Sequence, residues 1–130
     1  HLEQSTLATT AFLERNPKGF DNETLLKQMF LKQAYQKALA YQAAEEPEFK
    51  SKQLHQKVEI SGITVLNTRE DFVLTQVNGQ LIRDGVFEGR PFTEAIPFKL
   101  LLKLQRNPNM VLNGRFPTAV NDFKYETTGN

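Results

Sequence analysis

"FEGRPFTEAIPFKLLLKLQRNPNMV", residues 87–111, is the most strongly patterned part of this chain. From Phe98 the apolar residues recur at every second position, as Phe98, Leu100, Leu102 and Leu104. Lys99, Lys103 and Gln105 fall between them, so a strand here has one dry face and one wet face. Burying the four apolar side chains contributes about 1.5–3 kcal/mol each. Gly89 marks a turn before the run, and Asn107-Pro108 marks a second turn after it. The stretch reads as a strand between two turns, with no nucleophile motif, metal-ligand cluster or phosphate loop in it.

The same period of two continues on both sides. Downstream, "MVLNGRFPTAVNDFKYE" (110–126) predicts a fourth strand interrupted at Gly114 and Pro117. Upstream, "DFVLTQVNGQLIRDGVF" (71–87) predicts a long strand with bends at Gly79 and Gly85. From about His55, Val58 and Ile60 alternate, and Ile63 and Val65 resume on a shifted phase. A bulge at Ser61-Gly62 explains the shift. Before His55 the period is helical. "DNETLLKQMFLKQAYQKALAYQAAEE" (21–46) places Leu26, Phe30, Ala34 and Ala38 on one stripe, with Leu25, Met29 and Tyr41 beside it. Asp21 or Asn22 can cap its start, Pro47 is expected to end or break it, and "EFKSKQL" (48–54) after it reads as a further helical turn or as the lead into the sheet. A shorter helix with Leu7, Ala11 and Phe12 inward precedes it, and "NPKG" (16–19) reads as the turn between the two.

Long helices followed by meandering strands predict an α+β chain. The expectation is one domain over 1–130, helical across 3–52 and sheet across 54–126. Its helices pack on the concave side of a curved antiparallel sheet of about four strands. Cone-shaped folds of the nuclear-transport-factor-2-like kind have this order of elements.

Composition narrows the function. Ten of the aromatics are Phe, three are Tyr and none is Trp, which suits packing more than recognition. Sixteen basic residues stand against fifteen acidic ones, interleaved along the chain, so there is no basic stripe for phosphates and direct nucleic-acid binding is not expected. The absence of cysteine excludes a disulfide scaffold, a cysteine nucleophile and a thiolate metal site. No apolar run approaches eighteen residues. The first residue is His1, not Met, and the expectation is a piece whose upstream membrane helix lies outside this sequence.

Residues that could do chemistry are few. His55 stands among Gln53, Gln56 and Lys57 without a ligand partner at metal spacing, and reads as a solvent-facing or capping histidine. The pairs Glu45-Glu46 and Glu70-Asp71 read as solvated charge rather than a proton-sharing dyad. Asp84 lies within a strand beside Arg83. It can face a cavity as a general base, or it can serve the bend at Gly85. No cofactor motif is present.

One further pattern covers about half of the chain. It comprises "AEEPEFKSK" at 44–52, a strand with a glycine-rich turn, "GRPFTE" at 89–94, the lysine-between-leucines strand at 98–104 and "RNPN" at 106–109. It resembles the periplasmic domain of TraE-like conjugation proteins, a family similar to the eighth VirB component of type IV secretion machines. The family's "KPFT[DE]" reads "RPFTE" here, and its "NPxG" turn reads Asn107-Pro108-Asn109-Met110, without the glycine.

The resemblance implies a non-enzymatic assembly component, the periplasmic part of a protein held in the bacterial inner membrane by an upstream helix. It implies contacts with other secretion-system subunits, self-association, and no cofactor or metal. Exposed helix residues and the turns at 88–94 and 106–110 are then the surfaces of interest. Arg90, Phe92, Glu94, Arg106, Asn107 and Pro108 are the candidate interaction residues. Phe92 can equally plug the open end of the sheet. The alternative function is a small-molecule-binding or isomerase-like enzyme, with a deep pocket that includes Asp84 or Tyr35. An exported, effector-like domain is a third reading.

Overall fold

The computed structural model of the chain describes residues 1–108 and 116–128. Three helices, α1 (Leu2–Leu13), α2 (Glu23–Met29) and α3 (Lys32–Ser51), lie against one sheet. Its strands are β1 (Arg15–Asn16), β2 (Gly19–Phe20), β3 (His55–Thr68), β4 (Phe72–Phe87), β5 (Arg90–Arg106) and β6 (Thr118–Thr127). They are ordered β2-β1-β3-β4-β5-β6, and every neighbouring pair is antiparallel. The sheet is curled, with the helices packed on it. This is the expected nuclear-transport-factor-2-like α+β arrangement.

The sheet has six strands rather than about four, because "NPKG" is more than a turn between helices. Asn16 Oδ1 accepts the Lys18 N–H at 2.8 Å, and Gly19 sits at a φ of +131° that favours glycine. The resulting miniature hairpin pairs Arg15 with Phe20 on one side and with Gln56 on the other.

The long helix expected over 21–46 is two helices. Asn22 caps the first by accepting the Leu25 N–H at 3.0 Å. At Phe30 the backbone turns extended, bridges to Val120, and hands the Leu31 N–H to the Val120 carbonyl at 2.9 Å. The apolar stripe survives the break because both helices face one core. Leu26, Phe30, Ala34 and Ala38 are all buried.

Pro47 does not end α3, which continues to Ser51. Buried Phe49 lies under the Arg83 guanidinium at 5.6 Å, and the pairs Glu46–Lys50 and Glu48–Lys52 brace the turn around the proline. The helix stops at Gln53, in the left-handed region at φ 51°, where the Leu54 N–H donates back to the Phe49 carbonyl at 2.9 Å.

The decisive strand behaves as its alternation requires: Phe98, Leu100, Leu102 and Leu104 are buried. Against them Phe12, Phe30, Tyr41, Phe123 and Tyr125 form an aromatic cluster with ring centroids 4.7–6.3 Å apart. The bulge at Gly62 is present, and a second follows Val65. Gly79 does not interrupt β4. It admits the neighbouring strand, since a Cβ there would lie 2.2 Å from the Glu59 carbonyl oxygen. β6 begins just after Pro117, while the Gly114 interruption and the Asn109-Met110 part of the second turn lie outside the described residues.

Candidate functional site

The β4–β5 hairpin closes through two residues with positive φ, Glu88 at 51° and Gly89 at 78°, the backbone a two-residue turn between twisted strands requires. "RPFTE" is therefore not in the turn. β5 starts at Arg90, so Arg90, Phe92 and Glu94 occupy alternate positions of a strand and share one face. Opposite them on β4 stand Phe87, Gly85 and Arg83.

Gly85 determines how this tip meets the helices. A Cβ there would lie 2.7 Å from the Lys52 carbonyl oxygen, 2.8 Å from Leu54 and 3.0 Å from Phe92. Without one, the end of α3 comes close enough for the Val86 N–H to donate to the Lys52 carbonyl at 2.7 Å. An open hollow of about 720 Å³ results, lined by Lys52, Phe87, Glu88, Arg90, Pro91 and Phe92. Phe87 is 55% exposed on its rim, with the Lys52 ammonium 5.7 Å from its ring. Arg90 is exposed and makes no ion pair among the described residues. The hollow thus offers aromatic surface beside a free cation.

Beneath the tip the concave face is filled by charge. Arg15 and Arg83 are both buried, and Glu45 on α3 accepts from Arg15 Nη1 while lying 3.9 Å from Arg83. Arg83 Nε donates to Gln56 at 2.7 Å, and Gln56 donates to the Leu13 carbonyl at 2.6 Å. Glu48 and Glu94 stand 3.7 and 3.8 Å from the same guanidinium. Glu94 therefore belongs to this inner network more than to an outer surface.

Arg15 Nη2 is buried without a hydrogen-bond partner among the described residues, and the Phe12 and Phe20 rings, 5.0 and 5.3 Å from the guanidinium carbon, face it instead. Burial lowers the Arg15 pKa from its ordinary value, and Glu45 opposes the shift. Burial, followed by the Glu45 charge, pushes the Tyr125 hydroxyl up to about 12.

The other three candidates lie at the far end of β5. Seventeen residues of strand separate the two ends by on the order of 50 Å. Arg106 is exposed and pairs with Thr118. Asn107 is buried: its N–H donates to the Pro117 carbonyl at 3.1 Å and its side-chain amide to the Phe116 carbonyl at 2.9 Å. Its role in the structure is a clamp, with exposed Pro108 beside it. The six residues are thus two groups, not one surface.

Asp84 points away from the concave face. It is exposed and accepts a hydrogen bond from Thr93 at 2.5 Å. Tyr35 donates to Glu23 at 2.9 Å on the exterior. His55 is exposed. No group of acidic and histidine residues among the described ones is arranged to hold a metal, and no described helix is long and apolar enough to cross a membrane.

Sequence reasoning missed the buried arginines. Arg83 carried a signal, because it shares the parity of Val73, Val77 and Leu81 and so had to face inward. Arg15 carried none, since the two-residue strand that turns it inward is too short to show a period.

No family model and no curated protein matches the sequence significantly. Solved structures do match the fold. An IcmL-like type IV secretion system protein from Legionella pneumophila superposes with a TM-score of 0.72 at 8% identity, over 98% of this chain and 91% of that one. The periplasmic domain of DotI gives 0.72 at 11% identity, over 96% and 91%. A periplasmic fragment of TraM gives 0.70 at 10% identity, over 98% and 95%. At such identities the likeness establishes a shared fold.

Proposed function

We propose that this chain is a non-enzymatic structural component of a type IV secretion or conjugative DNA-transfer apparatus, acting through protein–protein contacts on the periplasmic side of the bacterial inner membrane. The observation that carries the reading is the match of nearly the whole chain to three domains, two called periplasmic and one from a type IV secretion system protein. The "RPFTE" strand and the lysine-between-leucines run support the finer reading, a TraE-like or eighth-VirB-type component. In that reading residues 1–130 act as one domain, attached to the membrane by an upstream helix, self-associating and meeting other secretion subunits.

Among the candidate residues, Arg90 and Phe92, with Phe87 beside them, form the contact surface. Phe87 is the exposed aromatic beside the Arg90 cation, with half-buried Phe92 next to it, the composition that interface anchors favour. Arg106 and Pro108 form a second, smaller contact at the opposite end. An isomerase-like pocket has weaker support, because Asp84 is exposed and the Tyr35 hydroxyl is engaged by Glu23 on the exterior. Deleting the gene from its host and measuring plasmid or protein transfer tests the reading. Transfer should fall and return when the whole gene is restored; undiminished transfer rejects it.

A further inference from the structure

Among the described residues, only Gln56 has a strand partner on the side of β3 away from β4. Residues 57–68 form a sheet edge with no strand beside it among the described residues. The Val58 N–H points to this edge, where the Glu14 carboxylate caps it at 3.2 Å. Alternation sends the backbone of Ile60 the same way and, past the bulge at Gly62, that of Ile63 and Val65. The side chains of these four stand on the core side, across from Leu81, Gly79, Val77 and Thr75.

The edge ends in apolar surface. Five large apolar side chains are exposed among the described residues: Leu2, Val65, Leu66, Val86 and Phe87. The last two belong to the hairpin tip. Val65 and Leu66 lie toward the far end of the β3 edge, and the start of α1, which carries Leu2, is brought toward that end because Ser5, one turn on, shares a hydrogen bond with Thr75, which pairs with Val65. A row of open amides running into an apolar patch has a specific chemical complement, another extended chain.

We propose that β3 takes up an extended segment of a partner protein as an added strand. The segment carries apolar residues at alternate positions, covering Ile60, Ile63 and Val65, and a lysine or arginine beside Glu59. Glu59 is exposed and makes no ion pair among the described residues, so a cation there meets an unanswered charge. The bulges after Ile60 and Val65 work against a second copy as the occupant. Two bulged edges related by a two-fold axis lose register within about four residues. This inference rests on the sheet edge alone and stands apart from the secretion reading.

The probe is a synthetic peptide of about ten residues, alternating Val and Thr with a Lys placed to meet Glu59. Amide hydrogen exchange is followed by NMR on the chain at roughly millimolar peptide. Exchange at Ile60, Ile63 and Val65 should slow several-fold, with Phe87 and Arg90 unchanged. Ile63→Pro removes one outward amide while leaving the ladder to β4, and should weaken binding about tenfold. Val65→Lys alters an exposed position, keeps the test valid if the proline variant unfolds, and should weaken binding similarly. Glu59→Lys should transfer preference to a Glu-bearing peptide. Unchanged exchange at the three amides overturns the proposal, as does protection confined to the hairpin tip. Protection that grows with chain concentration in the absence of peptide also overturns it, making a second copy the occupant.

Discussion

At Arg106, β5 runs into Asn107, which is buried and tied by its amides to Pro117 and Phe116. At Arg90, the other end of the same strand, it starts from a tight turn with Phe87 and Arg90 open to solvent. Both ends are marked in sequence by turn residues and charge, and both carried candidate interaction residues. The base of the hairpin is fastened by a backbone and a side-chain hydrogen bond from Asn107. The tip is held from beneath, by Gly85 against α3 and by the arginine network below it. Substitutions at the supports should therefore change stability, whereas substitutions on the exposed rim of the tip should change association.

The largest effect is expected at Glu45. Glu45→Ala leaves Arg15 and Arg83 buried without their shared carboxylate and should cost about 3 kcal/mol in urea unfolding. A loss below about 0.5 kcal/mol would mean the arginines are held by Gln56 and the aromatic rings instead. Gly85→Ala comes next. Its Cβ meets the Lys52 carbonyl at 2.7 Å, so α3 must lift from the tip at a cost of about 2 kcal/mol. An alanine there without effect would break the link between helix and hairpin.

A smaller, pH-dependent effect belongs to Tyr125. Its folded pKa of about 12 lies above the ordinary value of 10.0, so its contribution is complete below pH 10.0 and is lost as pH rises toward 12. Tyr125→Phe should flatten this alkaline loss of melting temperature. An unchanged alkaline limb would assign the loss to other groups.

Much of this architecture was legible in the sequence. The alternation of Phe98 to Leu104 fixed one strand, and the phase shift at Gly62 located a bulge correctly. The helix stripe was right about burial and wrong about continuity. A core-facing stripe does not reveal a break at Phe30 when both pieces pack on the same core. Pro47 left open whether the helix ends there or runs on to 52, and tertiary contacts at Phe49 carry α3 across it. The candidate site was half legible. "RPFTE" was singled out, but only the register with β4 shows that Glu94 faces Arg83 while Arg90 and Phe92 face the hollow. Asn107 looked like a surface turn residue because nothing local shows that Phe116 and Pro117 return to bury it.

In the function proposed for this chain, the tip is a contact surface supported from below. The direct measurement is transfer by the secretion or conjugation apparatus in cells carrying Phe87→Ala with Arg90→Ala in the full-length protein, beside a melting curve of the purified chain. Both positions are exposed, so stability should stay within about 0.5 kcal/mol of the parent. Transfer should drop at least tenfold while the protein remains folded and present at normal levels. Normal transfer by the folded double variant would contradict the account.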